Sequence, residues 1–207
     1  MANKARFWDK VAQKYFKSPI SDEAVYQRKL ELTREYLTED SDVLEFGCGT
    51  GGTALAHAPY AKSVLATDIS GEMLAIAEQQ KKDAGIENVE FRQADFDSFE
   101  DEKGRYDLVL GLSILHLLKD RREALKKVRH VLKPGGVFVS STACLGNRMW
   151  FMAPILWAGR LFGAFPFVRV FTVGQLVRSI EEAGFVVEHE WLPPKSIAVF
   201  VIARKPE

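Results

Sequence analysis

The stretch Asp42-Val-Leu-Glu-Phe-Gly-Cys-Gly-Thr-Gly-Gly52 decides the reading of this chain. Val43, Leu44 and Phe46 predict a short buried strand. Gly47, Gly49 and Gly51 then form a loop in which the backbone can turn tightly and stand close to a ligand. Thr53 to Ala58 favour a helix whose first N–H groups point at whatever lies over the glycines. Strand, glycine loop and helix start together predict a site for a nucleotide-type ligand.

The spacing Gly47-x-Gly49-x-x-Gly52 also fits the dinucleotide fingerprint, so the glycines alone do not choose the ligand. Glu45 does more. Its carboxylate stands at the end of the strand and would repel a pyrophosphate while attracting a sulfonium or an ammonium group. An acid, an apolar residue and then Gly-x-Gly-x-Gly resembles motif I of the class I S-adenosylmethionine-dependent methyltransferases. The plainer alternative is a glycine-rich turn that binds nothing.

Outward from this loop the chain alternates strands and helices. Ser63 to Thr67 is a second strand ending in Asp68, and Ser70 is a good N-cap for the next helix. Ile69 and Leu74 hold the positions of a hydrophobic staple, and Met73, Leu74 and Ala77 form that helix's apolar face. Asp68 stands about 20 residues after the first glycine, where an acid accepts hydrogen bonds from ribose hydroxyls. Val89 to Gln93 is a third strand, followed by Ala94-Asp95-Phe96. The resemblance implies that Asp95 accepts from the adenine amine and that Phe96 lies against the ring. The alternative is that Asp95 caps a short turn.

Tyr106 to Gly111 is a fourth strand, apolar enough for the middle of a sheet. It runs into Leu112 to Leu118, which resembles motif IV, the family's lining between donor methyl and acceptor. A helix follows, with Asp120 and Glu123 at capping-box spacing and Leu125, Val128 and Leu132 on its buried face. Lys126, Lys127 and Arg129 read as its solvated side. Leu132 to Gly136 ends the helix and turns into a fifth strand, Val137 to Ser140. The run VLKPGGVFV matches a recurring family signature that serves the turn. Thr172 and Gln175 offer a second capping box for a helix closed by Gly184. Phe185–Glu190 and Ile197–Ala203 make a terminal hairpin around Pro193-Pro194. The predicted fold is α/β: a doubly wound, seven-stranded, mostly parallel sheet with an antiparallel C-terminal strand and helices on both faces.

Residues 1–207 read as one methyltransferase domain. Residues 1–40 form an N-terminal helical cap, whose aromatic face carries Phe7, Trp8, Tyr15 and Phe16; a second helix runs from about Asp22 to Leu37. Residues 145–171 form an apolar, lid-like insertion. Met149 to Val170 is rich in aromatics, including Trp150, Phe151, Trp157, Phe162, Phe165 and Phe167, but Pro154, Arg160 and Pro166 break it. It is therefore no transmembrane helix. Two readings compete for it: a lid shaping an acceptor pocket, or a surface docking to membrane or to a second subunit. Ordinary core packing is the third.

The bulk numbers set limits. With 207 residues, 47% apolar and 27% charged, the chain suits one soluble domain. The formal net charge of +0 gives no global pull toward nucleic acid. Cys48 and Cys144 suggest reduced thiols, and the charged N-terminus is no secretory signal, so the expected location is the cytoplasm. The resemblance implies S-adenosyl-L-methionine as cofactor, with S-adenosyl-L-homocysteine as product. The expected contacts are Tyr15, Glu45, Gly47, Cys48, Gly49, Gly51, Asp68, Ile69, Met73, Asp95, Phe96, Gly111 and Leu112. His116 is the candidate general base for a small, partly apolar acceptor of quinone or lipid type. No metal is expected, because His57, His116, His130 and His189 are dispersed. A non-catalytic cofactor-binding or regulatory protein and a nicotinamide-dependent oxidoreductase are the alternatives.

Overall fold

The computed structural model describes residues 2–152, 154–155 and 166–207. Seven strands form one sheet in the order β3-β2-β1-β4-β5-β7-β6. They are β1 (Asp42–Phe46), β2 (Ser63–Asp68), β3 (Val89–Gln93), β4 (Tyr106–Leu112), β5 (Leu132–Ala143), β6 (Val186–Trp191) and β7 (Ala198–Arg204). β1 runs parallel to β2 and β4, and β2 parallel to β3, whereas β7 lies antiparallel between β5 and β6. The predicted sheet is the observed one. Its helices are α1 (Ala2–Lys17), α2 (Glu23–Arg34), α3 (Gly52–His57), α4 (Gly71–Asp83), α5 (Arg121–Val131) and α6 (Val173–Glu182).

The chain resolves into two compact units, residues 1–99 with 106–110, and residues 100–105 with 111–207. In the first unit β1 is a near-continuous apolar run, with Val43, Leu44 and Phe46 fully buried. That pattern belongs to a strand covered on both faces. Burying each such side chain contributes roughly 1.5–3 kcal/mol, so the strand bearing the glycine loop is firmly placed. Helix α1 packs on α4 through Ala12, Met73 and Ile76, flanked by Trp8 and Val11. A polar latch adds to this contact: Ser70 Oγ donates to Asp9 Oδ1 at 2.6 Å while accepting the Met73 N–H at 3.1 Å. Ser70 is thus the α4 N-cap that the sequence predicts.

In the second unit β5 pairs with β7 from Val137↔Arg204 to Ala143↔Ala198. The apolar faces of α5 and α6, with Leu125, Val128, Leu176 and Ile180, are buried there together with Phe138 and the β7 run Val199–Ala203. Thr172 and Gln175 make the reciprocal capping box at the start of α6. Lys205 Nζ donates to the carbonyls of Arg129 and Leu132, satisfying acceptors at the C-terminal end of α5.

Boundaries differ from the sequence expectation by a few residues, most tellingly at α2, α3 and β5. Helix α2 stops at Arg34, because Tyr36 and Leu37 donate to Thr33 and Arg34 in i→i+3 bonds that tighten the last turn. Helix α3 passes into a 3₁₀ turn over Ala58–Tyr60 at Pro59, which lacks the N–H that an α-helix needs. Strand β5 begins at Leu132, ahead of the expected Val137, since Gly135 and Gly136 already exchange backbone hydrogen bonds with Lys205.

Candidate functional site

Gly47, Gly49 and Gly51 adopt φ of 69°, 54° and 80°, a left-handed run that residues with a Cβ adopt only under strain. The loop is held by backbone bonds from Cys48 N–H to Thr67 O and from Gly51 N–H to Cys48 O, both 3.0 Å. Asp68 braces it further. One carboxylate oxygen accepts the Gly49 N–H at 2.9 Å, and the other accepts the Ser70 N–H at 2.9 Å. Burial raises the Asp68 pKa, and these N–H groups partly oppose the rise. Each oxygen keeps a further lone pair, so the carboxylate retains capacity for a ligand hydroxyl.

Glu45 lies one strand over from Asp68 and is only 2% exposed. Its Oε2 is buried without a hydrogen-bond partner. Burial, and then the charge of Asp68, push its carboxyl up to about 8. Leaving such an oxygen unsatisfied costs about 1–3 kcal/mol, which a bound cation or donor would recover. Tyr15 of α1 stands over the loop: a Cβ placed on Gly49 would lie 3.8 Å from Tyr15 Cε1. The ring is 54% exposed, so the space above Gly49 has an aromatic wall that remains in reach of solvent. The phenol pKa is raised by burial and then by Asp68 and Glu45. Tyr26 is raised by burial too, against a hydrogen bond with Thr53, and it also feels Glu45. Two acids and two phenols thus hold one another toward their neutral forms in one neighbourhood, and a cationic ligand there would favour ionised carboxylates.

The remaining first-unit candidates take different places. Cys48 is buried, and burial, then Glu45 and Asp68, hold its thiol well above the usual range, so it is no nucleophile. Ile69 is half-buried, and its carbonyl accepts from Gln93 Nε2 at 2.9 Å. Met73 belongs to the packing between α1 and α4. Asp95 Oδ1 accepts the Asp97 N–H at 3.0 Å, bracing its own turn. Phe96 is 5% exposed and stacks on Phe46 at 3.8 Å, so its ring is part of the core.

In the second unit, Gly111 and Leu112 end β4, and the next residue, Ser113, is a non-glycine at φ 56°. Such strain is held only where surrounding contacts fix it; here the Ser113 N–H donates to Ser141 O at 2.6 Å. His116 follows in a turn, its carbonyl accepting the Arg169 N–H at 2.7 Å. Its Nδ1 is buried without a partner, and burial lowers its pKa to about 4. The ring is therefore neutral at physiological pH: free to accept a proton, but weakly basic. Of the aromatic insertion, Trp150 and Phe151 are exposed and meet edge to face. Trp157, Arg160, Phe162 and Phe165 lie outside the described residues.

A family described as methyltransferase domain matches residues 43–136, the span from β1 to the start of β5. Residues 43–136 thus match a methyltransferase domain, and the sheet that carries them has the methyltransferase fold. An uncharacterized methyltransferase, YcgJ, of Bacillus subtilis is 34% identical over 47% of this chain and 38% of its own. A ubiquinone biosynthesis O-methyltransferase of Serratia proteamaculans is 30% identical over 56% of this chain and 48% of its own. The chain thus spans less than half the length of these curated relatives. The crystal structure of the Bacillus YcgJ protein superposes with a TM-score of 0.73 at 20% identity, covering 87% of this chain and 99% of that one. At that identity the likeness is one of fold.

The structure adds residues that sequence reasoning passed over. Asp9 anchors α1 to the α4 cap across 61 positions, a partnership with no local signature. Tyr26 of α2 feels Glu45 of β1 and hydrogen-bonds Thr53 of α3, residues of separate elements. Ser113 gives no hint in a serine code, although its place directly after β4 marks where a strained residue is to be sought. Among the described residues no group of three or more His, Cys, Asp or Glu could hold a metal ion, and no helix is long and apolar enough to cross a membrane.

Proposed function

We propose that this protein transfers a methyl group from S-adenosyl-L-methionine to a small acceptor of quinone- or lipid-like character, releasing S-adenosyl-L-homocysteine. The observation that carries the reading is the buried, unpartnered Oε2 of Glu45 beside three left-handed glycines. When bound, S-adenosyl-L-methionine supplies a methyl group already activated on a sulfonium. The chain's own residues then have to bind, orient and exclude water.

Gly47 to Gly51 offer bare backbone, and Cys48 contributes its main chain. Asp68 serves as acceptor for ribose hydroxyls, Glu45 faces the positive end and Tyr15 covers the loop. Asp95, Phe96, Ile69 and Met73 complete the adenine side through backbone and packing, and Gly111 and Leu112 line the acceptor side. Orienting the reactants contributes up to roughly 7–11 kcal/mol in favourable cases, enough to dominate when the donor is preactivated. His116 is the proton acceptor if the nucleophile is a hydroxyl. Its pKa of about 4 keeps it in the accepting form at any pH above roughly 5. It therefore imposes no fall in turnover between pH 6 and 8.

The apolar acceptor is supported by exposed Trp150 and Phe151 and by the names of the ubiquinone-biosynthesis relatives. The insertion over 145–171 is read as a lid of the same domain, in preference to a membrane or dimer contact. Two free cysteines favour the cytoplasm. A nicotinamide dinucleotide is disfavoured, because its diphosphate would meet Glu45 and Asp68. Calorimetry decides this: S-adenosylhomocysteine should bind at micromolar levels and NAD(P) should not. His116→Ala should spare that binding and lower turnover by roughly 10²–10⁴-fold. Full activity in the variant across pH would remove His116 from the mechanism. Absence of any turnover of labelled donor against a metabolite pool would favour the non-catalytic alternative.

A further inference from the structure

A cleft of about 450 Å³ in the second unit brings together Arg121, Arg122, Arg169 and Arg178, with Gln175 and Ser179 among its walls. Its floor is built for a fixed guanidinium. Arg121 lies 4.1 Å over the Phe171 ring, and its Nη2 donates to Ser179 Oγ at 2.9 Å. Its Nε is buried with no acceptor. Arg122 pairs with Glu182 at 3.0 Å. Arg169 donates to the Lys119 carbonyl, which leaves its charge uncompensated by that bond. Arg178 is exposed and has no acidic partner among the described residues. The other carboxylate acting on this group is Asp120, which feels Arg169 but spends an oxygen on the N–H groups of Arg122 and Glu123 at the start of α5.

Among the described residues four guanidiniums therefore face two carboxylates, a deficit of about two negative charges. Like charges lining one cleft repel, and the partners named offset that repulsion only in part. Forked N–H donors match the oxygens of a phosphate, which accepts bidentate bonds from several arginines at once. The size suits a small molecule, since ligand clefts run from about 300 to 1,000 Å³. We propose that this cleft binds a phosphate- or diphosphate-bearing small molecule, held by Arg121, Arg169 and Arg178. The inference is independent of the methyl-transfer reading, because the cleft shares no residue with the glycine loop. It does bear on the loop after β4, since Arg169 is tied through its backbone to His116 and through its side chain to Lys119.

The test is calorimetry on the full chain with inorganic pyrophosphate as probe. One site per chain is expected, with binding stronger than for inorganic phosphate. Arg178→Ala, a change at an exposed position, should weaken pyrophosphate roughly tenfold, the loss of one charge-assisted contact. Arg121→Lys, which keeps the charge and removes the fork, should also weaken it. S-adenosylhomocysteine should neither displace pyrophosphate nor lose affinity in either variant. No heat with about 10 mM pyrophosphate, or unchanged affinity in Arg178→Ala, overturns the proposal. So does displacement by S-adenosylhomocysteine, which would put the probe at the glycine loop. Binding of phosphatidylglycerol vesicles or of an oligonucleotide in preference to pyrophosphate, lost in Arg178→Ala, would replace the small molecule with a lipid surface or a nucleic acid.

Discussion

The first unit buries acidic side chains and the second gathers positive charge near water, and the two arrangements behave differently. Glu45 and Asp68 lie within the sheet, 2% and 9% exposed, with Glu45 Oε2 lacking any partner. Arg122, Arg169 and Arg178 are exposed around an open cleft. Burial makes the acids respond by holding protons: the Glu45 carboxyl rises to about 8. The exposed guanidiniums stay charged and lean on solvent. A site of the first kind stores its ligand preference as instability of the empty protein. A site of the second kind stores it as a field that salt can screen. The same zero net charge covers both.

The largest effect that would sharpen this contrast comes from the backbone under the acids. At Gly51 an added Cβ would stand 2.6 Å from Phe91 Cζ and 2.8 Å from Ala77 Cβ, at φ 80°. Left-handed strain of about 1–2 kcal/mol joins overpacking of about 1–3 kcal/mol. Gly51→Ala should therefore lower Tm by roughly 10 °C and abolish S-adenosylhomocysteine binding. A wild-type melting curve with wild-type affinity would show that the loop is softer than its geometry implies.

Glu45→Gln tests the acid itself. Because the folded pKa is raised from 4.5 to about 8, the folded state holds a proton that the unfolded chain releases. Stability from this group is thus full below about 4.5 and is lost as pH climbs toward about 8. Glu45→Gln should remove that slope and stabilise the empty protein at pH 8 by about 3–5 kcal/mol. The same change should weaken a sulfonium ligand about tenfold and flatten the pH dependence of its binding. Denaturant melts at pH 5 and pH 8 measure the first effect. Parallel slopes for variant and wild type would mean that Glu45 is ionised in the folded state.

The smallest effect separates the two units by ionic strength. Raising NaCl from about 50 to 500 mM should change S-adenosylhomocysteine affinity by less than about twofold, since buried charges are weakly screened. Pyrophosphate affinity should fall by about tenfold over the same range. Equal salt dependence for both ligands would erase the distinction drawn here.

Local chemistry was legible in the residues; long-range chemistry was not. The three glycines, the Ser70 cap and the Thr172–Gln175 capping box each involve neighbours within five positions, so spacing alone predicts them. The seven strands followed from apolar runs and the terminal hairpin. Phe96 shows the limit. Its place after β3 suggests a ring for adenine, and its stacking on Phe46 of β1 is a long-range partnership with no local signature. Met73 likewise packs with Ala12 of another helix, a contact that spacing does not announce. The arginine cleft escaped for the same reason: its cations come from α5, α6 and the segment before α6, and a balanced total conceals their clustering.

The antiparallel placement of β7 between β5 and β6 has a consequence for synthesis. As the nascent chain leaves the ribosome, β5 emerges with the backbone edge that β7 will cover unpaired, and β6 follows with no neighbour to join. Both edges are covered only by β7, so neither is paired before β7 has been made. Until then a twelve-residue strand with seven consecutive buried positions offers itself to any other unpaired edge, the circumstance in which a holding chaperone protects a protein most.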